Sequence, residues 1–140
     1  MSTQHIQQAE AGVVIDSALA DLIVNKMARE MRGKIANIDP NDDPAEGYDG
    51  SWAQCSCEQD DYMDIEGPDG EYEILYSYEL AWEYCAWTES WSDPDCTQSF
   101  DEIRNQAGEV YFIDIVTSDG ESVRQDICGA IAKRVNEMIK

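Results

Sequence analysis

The central half of this chain has almost no positive charge. From residue 39 to residue 109 a single base, Arg104, stands among 21 Asp and Glu, giving that segment a formal charge of −20 in a chain whose total is −21. The two ends are close to balanced, with four acids against four bases up to residue 38, and five against four from residue 110 onward. The deficit excludes direct nucleic-acid binding, because no basic patch is present to hold phosphate. It also excludes an anionic membrane surface as a partner. A general adaptation to salt would spread acid over every exposed surface. A local excess instead favours an acidic face that meets a strongly basic partner.

Histidine is nearly missing: the one residue is His5, in a polar N-terminal stretch, so a histidine-based triad has no material. Long apolar runs are missing as well, which leaves nothing to span a bilayer. The first 12 residues are polar, and Val13 to Ile15 is too short for the apolar core of a signal peptide. The expected location is therefore cytoplasmic. The five cysteines are odd in number and read as reduced thiols. Cys55-Ser56-Cys57 is not the redox C-x-x-C spacing. Together with Cys85 and Cys96 it gives spacings of 2, 28 and 11, without the paired knuckles of a structural zinc site. Asp39-x-Asn41-x-Asp43 begins like a calcium loop and then fails at Pro44, Ala45 and Gly50, where a glycine, a ligand and the bidentate Glu belong. No catalytic residue, metal or cofactor is expected, and the chain is read as non-enzymatic. A metal-dependent enzyme built on paired carboxylates is the remote alternative.

What is present argues for one folded domain. At 140 residues and 43% hydrophobic, the chain is too apolar for general disorder. Residues 1–11 are expected to be a flexible tail, and 12–140 a single domain carrying the acidic region 39–109. Ile15, Leu19, Leu22, Ile23, Met27, Met31 and Ile35 give helical spacing over 12–37, interrupted at Glu30. Asp39 to Gly50 reads as an acidic loop. Short strands are predicted at 51–58 and 62–66, followed by a turn at Gly67-Pro68-Asp69-Gly70. Tyr72, Ile74, Tyr76, Tyr78, Leu80, Trp82, Tyr84 and Ala86 then occupy every second position, with Glu71, Glu73, Glu79 and Glu83 on the other parity. That is a strand with one apolar and one acidic face, long enough to need a bulge or a strong curl. A helix over 79–87 is the competing reading. Residues 87–100 are expected to be an irregular connection, 109–117 a strand, Ser118-Asp119-Gly120 a turn, and 121–139 a helix. The fold class is α+β: a two-layer domain with an antiparallel sheet of about four strands, and an N-terminal and a C-terminal helix packed on one face.

On such a sheet the carboxylates form rows. Glu71, Glu73, Glu79 and Glu83 are the first row, neighbouring strands add Glu58, Asp60, Asp64 and Glu66, and the loop adds Asp42 and Asp43. Regular rows approximate the charge repeat of a nucleic-acid backbone. Trp52, Trp87 and Trp91 lie among these acids and are expected to anchor a partner, since aromatic residues dominate interface energies. Trp82 and Tyr76 are expected in the core. In charge and size the chain resembles phage and plasmid DNA-mimic proteins, including anti-restriction and anti-CRISPR inhibitors, and that resemblance implies a restriction enzyme or CRISPR effector as target. The reading from the residues is a nucleic-acid mimic that occupies the basic groove of a DNA- or RNA-binding enzyme. Its alternative is an acidic partner, such as a toxin immunity protein or a chaperone of a basic protein. The basic stretch Lys26, Arg29, Arg32 and Lys34 is expected to meet the protein's own acidic surface, within one chain or across a homodimer.

Overall fold

The computed structural model describes residues 12–39, 51–90 and 97–140. The expected tail 1–11, nearly all of the acidic loop with Asp42 and Asp43, and Trp91 and Cys96 lie outside the described residues. Helix α1 (Ser17–Ala36) is followed by three strands, β1 (Ala53–Gly67), β2 (Gly70–Ser90) and β3 (Thr97–Val116), and by helix α2 (Gln125–Ile139). The strands form one antiparallel sheet in the order β1-β2-β3. Both helices contribute to a core built on one face of it, so the domain is the α+β architecture expected.

The strand count is three rather than about four, for a reason visible in the side chains. Residues 59–61 look like a polar break between two short strands. They are a continuous part of β1. Gln59 and Asp61 share the inward parity with the buried Met63, but both are satisfied there. The Tyr78 hydroxyl donates to Gln59 Oε1 at 2.9 Å, and Lys34 of α1 donates to Asp61. Inward-facing polar groups are tolerated when they are hydrogen-bonded. The hairpin to β2 turns on Pro68 and Asp69 between the paired Gly67 and Gly70, with Gly70 at φ +126°.

β2 runs 21 residues, and 79–87 is strand, not helix. Its even positions from Tyr72 to Ala86 are all buried, Trp82 and Tyr76 at 2% exposure. Of the expected irregular connection over 87–100, the described residues, 87–90 and 97–100, are ladder. Trp87 pairs with Phe100, and the two rings stack at 5.7 Å with 18° between planes. An aromatic cross-strand pair of this kind stabilises a ladder even where the flanking residues are small and polar. β3 starts at Thr97 instead of 109 because two bulges hide its alternation. One lies between the Ala81 and Glu83 pairings, opposite Asn105 and Gln106, and the other between the Ser77 and Tyr78 pairings, opposite Tyr111. Asn105 adopts φ +54°, a left-handed value that Asn tolerates better than most residues.

α1 is shorter than the expected 12–37. Asp16 caps it, accepting from the Leu19 N–H at 2.8 Å. Before it, Val13 bridges to Val123 and so ties the start of the domain to the entry of α2. Leu19, Ile23, Val24, Met27, Ala28 and Met31 of α1, and Cys128, Ile131, Ala132 and Val135 of α2, are buried in the core that the helices and the sheet share. Leu22 and Met138, which share the helical spacing, are 52% and 39% exposed. Of the basic stretch of α1, Lys34 meets one of the chain's own acids, while Lys26 and Arg32 donate to backbone carbonyls. Lys34 bridges Asp61 and lies over the Tyr78 ring, and Lys26 donates to the Asp64 backbone carbonyl on the edge strand β1. Among the described residues no helix is long and apolar enough to cross a membrane.

Two predictions follow the two faces of the sheet. Ile74 is fully buried, and Ile74→Ala should cost about 2–5 kcal/mol in urea unfolding. Its outward neighbour Glu73, which faces Asp64, should cost nothing on conversion to Gln and should raise the midpoint slightly at low salt. The Lys34–Asp61 bridge predicts a pH dependence. The hydrogen bond from Lys34 holds the Asp61 carboxyl below its ordinary range. Its stabilising effect is therefore complete above the unfolded value of about 4 and disappears as pH falls through the folded value. Asp61→Asn should lose up to about 1 kcal/mol at pH 7, and this deficit should shrink as the solution is taken below about pH 4, measured by the urea midpoint at each pH.

Candidate binding face

The sheet face away from the helices is open, and parity decides what it shows. Outward positions of β1 are Gln54, Ser56, Glu58, Asp60, Tyr62, Asp64 and Glu66; those of β2 include Glu71, Glu73, Leu75, Ser77, Glu79 and Glu83. On β3 they include Arg104, Glu109, Phe112 and Asp114. Register then sets acids directly against acids. Glu66 pairs with Glu71, Asp64 with Glu73, and Glu58 with Glu79, which pairs in turn with Glu109 on its other side. Strands lie about 4.8 Å apart and same-face residues about 6.6 Å apart along a strand. The array is therefore a dense, two-dimensional grid of negative charge. Like charges placed directly opposite are destabilising, and Arg104 is the one base in all three strands.

The expected site residues divide into three groups. Glu71, Glu73, Glu79, Asp60, Asp64 and Glu66 are exposed and share this open face. Asp60 is oriented by the Ser77 hydroxyl, which donates to Oδ1 at 2.6 Å. Glu83, Trp52 and Trp87 sit toward the other end and are engaged within the chain. Glu83 accepts from Asn105 Nδ2 at 2.8 Å and from Arg104 Nε at 3.0 Å. The Asn105 amide first, and Arg104 second, hold its carboxyl below the usual range. The Arg104 guanidinium lies 3.7 Å from the centre of the Trp52 ring, and Trp87 is half-buried against Phe100. Asp42, Asp43 and Trp91 form the third group, outside the described residues.

Four outward residues were not anticipated: Tyr62, Leu75, Tyr111 and Phe112, exposed by 63%, 42%, 54% and 48%. Tyr62 pairs directly with Leu75, and Phe112 pairs with Ser77, the next outward residue of β2. The bulge explains why two consecutive aromatics reach the same face: Tyr111 is the extra residue between the Val110 and Phe112 pairings. Loss of solvent, and then the fields of Glu58 and Asp60, push the Tyr111 phenol above its ordinary pKa, while a hydrogen bond with Ser77 works the other way. Signals for these residues exist in the chain. Tyr62 breaks an otherwise polar parity, Leu75 interrupts the run from Glu71 to Glu79, and Val110-Tyr111-Phe112-Ile113 is too continuously apolar for a strand with one wet face.

The bulge is held from behind by α2. Asn136 Nδ2 donates to the Val110 carbonyl and its Oδ1 accepts from the Val110 N–H, each at 2.8 Å. The amide thereby occupies backbone groups that the irregular ladder leaves over. The second bulge has a similar tie, Gln106 Nε2 donating to the Ile35 carbonyl at the end of α1 at 3.2 Å.

Cys55, Cys85 and Cys128 are buried and Cys57 is half-buried. Among the described residues no group of three His, Cys, Asp or Glu side chains is placed to hold a metal ion. Comparison with protein-family models, with curated proteins and with solved structures returns no match.

Asn136→Ala removes both hydrogen bonds at once and leaves part-buried backbone groups unsatisfied. It should destabilise the domain by about 1–3 kcal/mol. Amide exchange should rise first at Val110 and its neighbours, measured by hydrogen exchange.

Proposed function

We propose that the protein is a non-enzymatic inhibitor that uses its open sheet face as a decoy for a nucleic-acid backbone, occupying the basic groove of a DNA- or RNA-binding protein. The observation behind this reading is the run of directly opposed carboxylates, Glu66–Glu71, Asp64–Glu73 and Glu58–Glu79–Glu109. A surface that is acidic only to stay soluble would gain by alternating signs across strands. Here repulsion is accumulated on one face, and no strand base sits among those pairs to relieve it. A groove lined with Lys and Arg supplies the missing counter-charge. It normally binds phosphate through the release of condensed counterions. A rigid grid competes for the same cations and loses little ordering entropy when it docks.

The decoy needs no catalytic residue, cofactor or metal. It acts by exclusion. A restriction enzyme or a CRISPR effector in the cytoplasm is the target class that the charge and size suggest, and the acidic grid itself has no attraction for nucleic acid or for an anionic membrane.

The test is competition. Proteins retained at low salt on the immobilised chain should be released by duplex DNA at concentrations that fill their own grooves. Converting Glu71, Glu73 and Glu79 together to Gln should weaken retention roughly tenfold, at a fraction of a kcal/mol or more per exposed charge pair. It should also flatten the dependence on salt. A partner that duplex DNA does not release would overturn the groove reading and leave an acidic protein-binding module instead.

A further inference from the structure

Carboxylates alone would make a poor discriminator between one basic surface and another. The open face, however, is not uniformly acidic. Among the described residues seven large hydrophobic side chains are exposed, and four of them, Tyr62, Leu75, Tyr111 and Phe112, fall at one place in the middle of the sheet. Residues paired directly across strands have Cβ atoms about 5 Å apart, and diagonal neighbours lie within reach of an aromatic ring. Tyr62 and Leu75 are such a direct pair, and Phe112 is diagonal to Leu75 through Ser77. The four therefore make an apolar island across two rows of the sheet, which they share with Ser77, its partner Asp60, and Asp114 opposite Leu75. Acids flank it on both sides along the strands: Asp64 and Glu73 beyond one end, Glu58, Glu79 and Glu109 beyond the other.

We propose that this island is the contact centre of a protein–protein interface, and that its occupant is a basic protein surface presenting an aliphatic or aromatic side chain encircled by Lys and Arg. The inference rests on the acidic face being a binding surface and names what that face selects. An apolar patch with a charged rim has the anatomy of an interface, in which a few buried aromatic anchors supply most of the affinity and the rim excludes water. The sign of the rim identifies the partner's chemistry. A nucleic acid is repelled by it. A second copy of this chain, docked face to face about a two-fold axis, would bring the same carboxylates against each other. A basic protein alone satisfies the island and the rim together. The bulge that places Tyr111 beside Phe112, clamped by Asn136, is the device that builds the island on a strand that would otherwise show every second residue.

Two synthetic peptides of equal length and equal arginine content provide the probes, one with Leu and Trp between the arginines and the other with Ser in their place. The intact protein should bind the Leu/Trp peptide about tenfold more tightly at low salt, the scale of one good hot spot. The variant Tyr62→Ser, Leu75→Thr, Phe112→Thr changes only outward side chains and should keep its melting transition. It should lose the preference while binding the Ser peptide as before. The single change Leu75→Thr should lose part of the preference and serves if the triple variant folds poorly. Converting Glu58, Glu79 and Glu109 to Gln should weaken both peptides alike. Equal binding of the two peptides by the intact protein would overturn the island and leave the acidic face standing. A preference that survives in the triple variant would overturn it too, by placing the apolar contact elsewhere. Failure of both peptides to bind would overturn the island together with the acidic face. Sedimentation of the intact protein as a dimer that the triple variant abolishes would assign the island to a second copy and overturn the proposal.

Discussion

The structure depends on one opposition, between the two faces of β2. Inward, an unbroken alternation from Tyr72 to Ala86 is buried against α1 and α2. Outward, the same strand carries Glu71, Glu73, Glu79 and Glu83. Burial of each large side chain stabilises by about 1.5–3 kcal/mol, whereas an opposed pair of exposed like charges costs well under that. Repeated along one strand, the inward gain exceeds the outward cost at each step. The apolar core can thus hold carboxylates in fixed positions that they would leave if the backbone were free. A flexible chain of the same composition would expand until its charges were screened. The rigidity of the acidic grid is a consequence of what lies behind it.

Strand length creates the second constraint. Twenty-one residues at about 3.3 Å each would reach roughly 70 Å, far longer than the helices that cover them. Two bulges in β3 break the run, and each is tied to a helix by an amide side chain, Asn136 from α2 and Gln106 to α1. Bulges bend a strand and increase its twist. They also reset parity. That reset places Arg104 opposite Glu83 at one end of the sheet and adds Tyr111 to the outward face near its middle. The two ends of the face consequently differ in character. One is internally satisfied, with Arg104, Asn105, Glu83 and Trp52 in mutual contact. The other displays its charges to solvent.

This also explains which parts of the fold were legible in the chain. The alternation of β2 from Tyr72 to Ala86 and the turns at Gly67–Gly70 and Ser118–Gly120 could be read directly, whereas the helical spacing was looser and took in Leu22 and Met138, which are exposed. β1 looked broken because Gln59 and Asp61 are polar on the inward parity; on this edge strand both keep access to solvent and hydrogen-bond Tyr78 and Lys34. β3 looked short because bulges erase alternation, and a local pattern carries no information about a partner strand's register. The acidic row on β2 was visible in the sequence, but its opposition to Asp64, Glu66, Glu58 and Glu109 was not, since pairing is set by the hairpin and the bulges. The tryptophans looked like anchors by residue type. Trp52 lies against Arg104 and Trp87 stacks on Phe100, and less conspicuous residues such as Leu75 also face solvent.

Charge and apolar contact serve different stages of an encounter. An extended negative grid raises the rate at which a basic surface arrives and orients it, and this contribution falls with salt. Exposed ion pairs, at well under 1 kcal/mol each, do little to prolong the complex once it has formed. Differences among related complexes lie chiefly in how slowly they separate, and that is set by desolvated anchors. A decoy made of carboxylates alone would therefore be displaced easily by the nucleic acid it imitates, which carries more charge at closer spacing. An apolar centre offers a contact that phosphate cannot reproduce. Tyr62, Leu75, Tyr111 and Phe112 are exposed among the carboxylates, so on the proposed reading the affinity of this face should fall less steeply with salt than that of a purely electrostatic mimic.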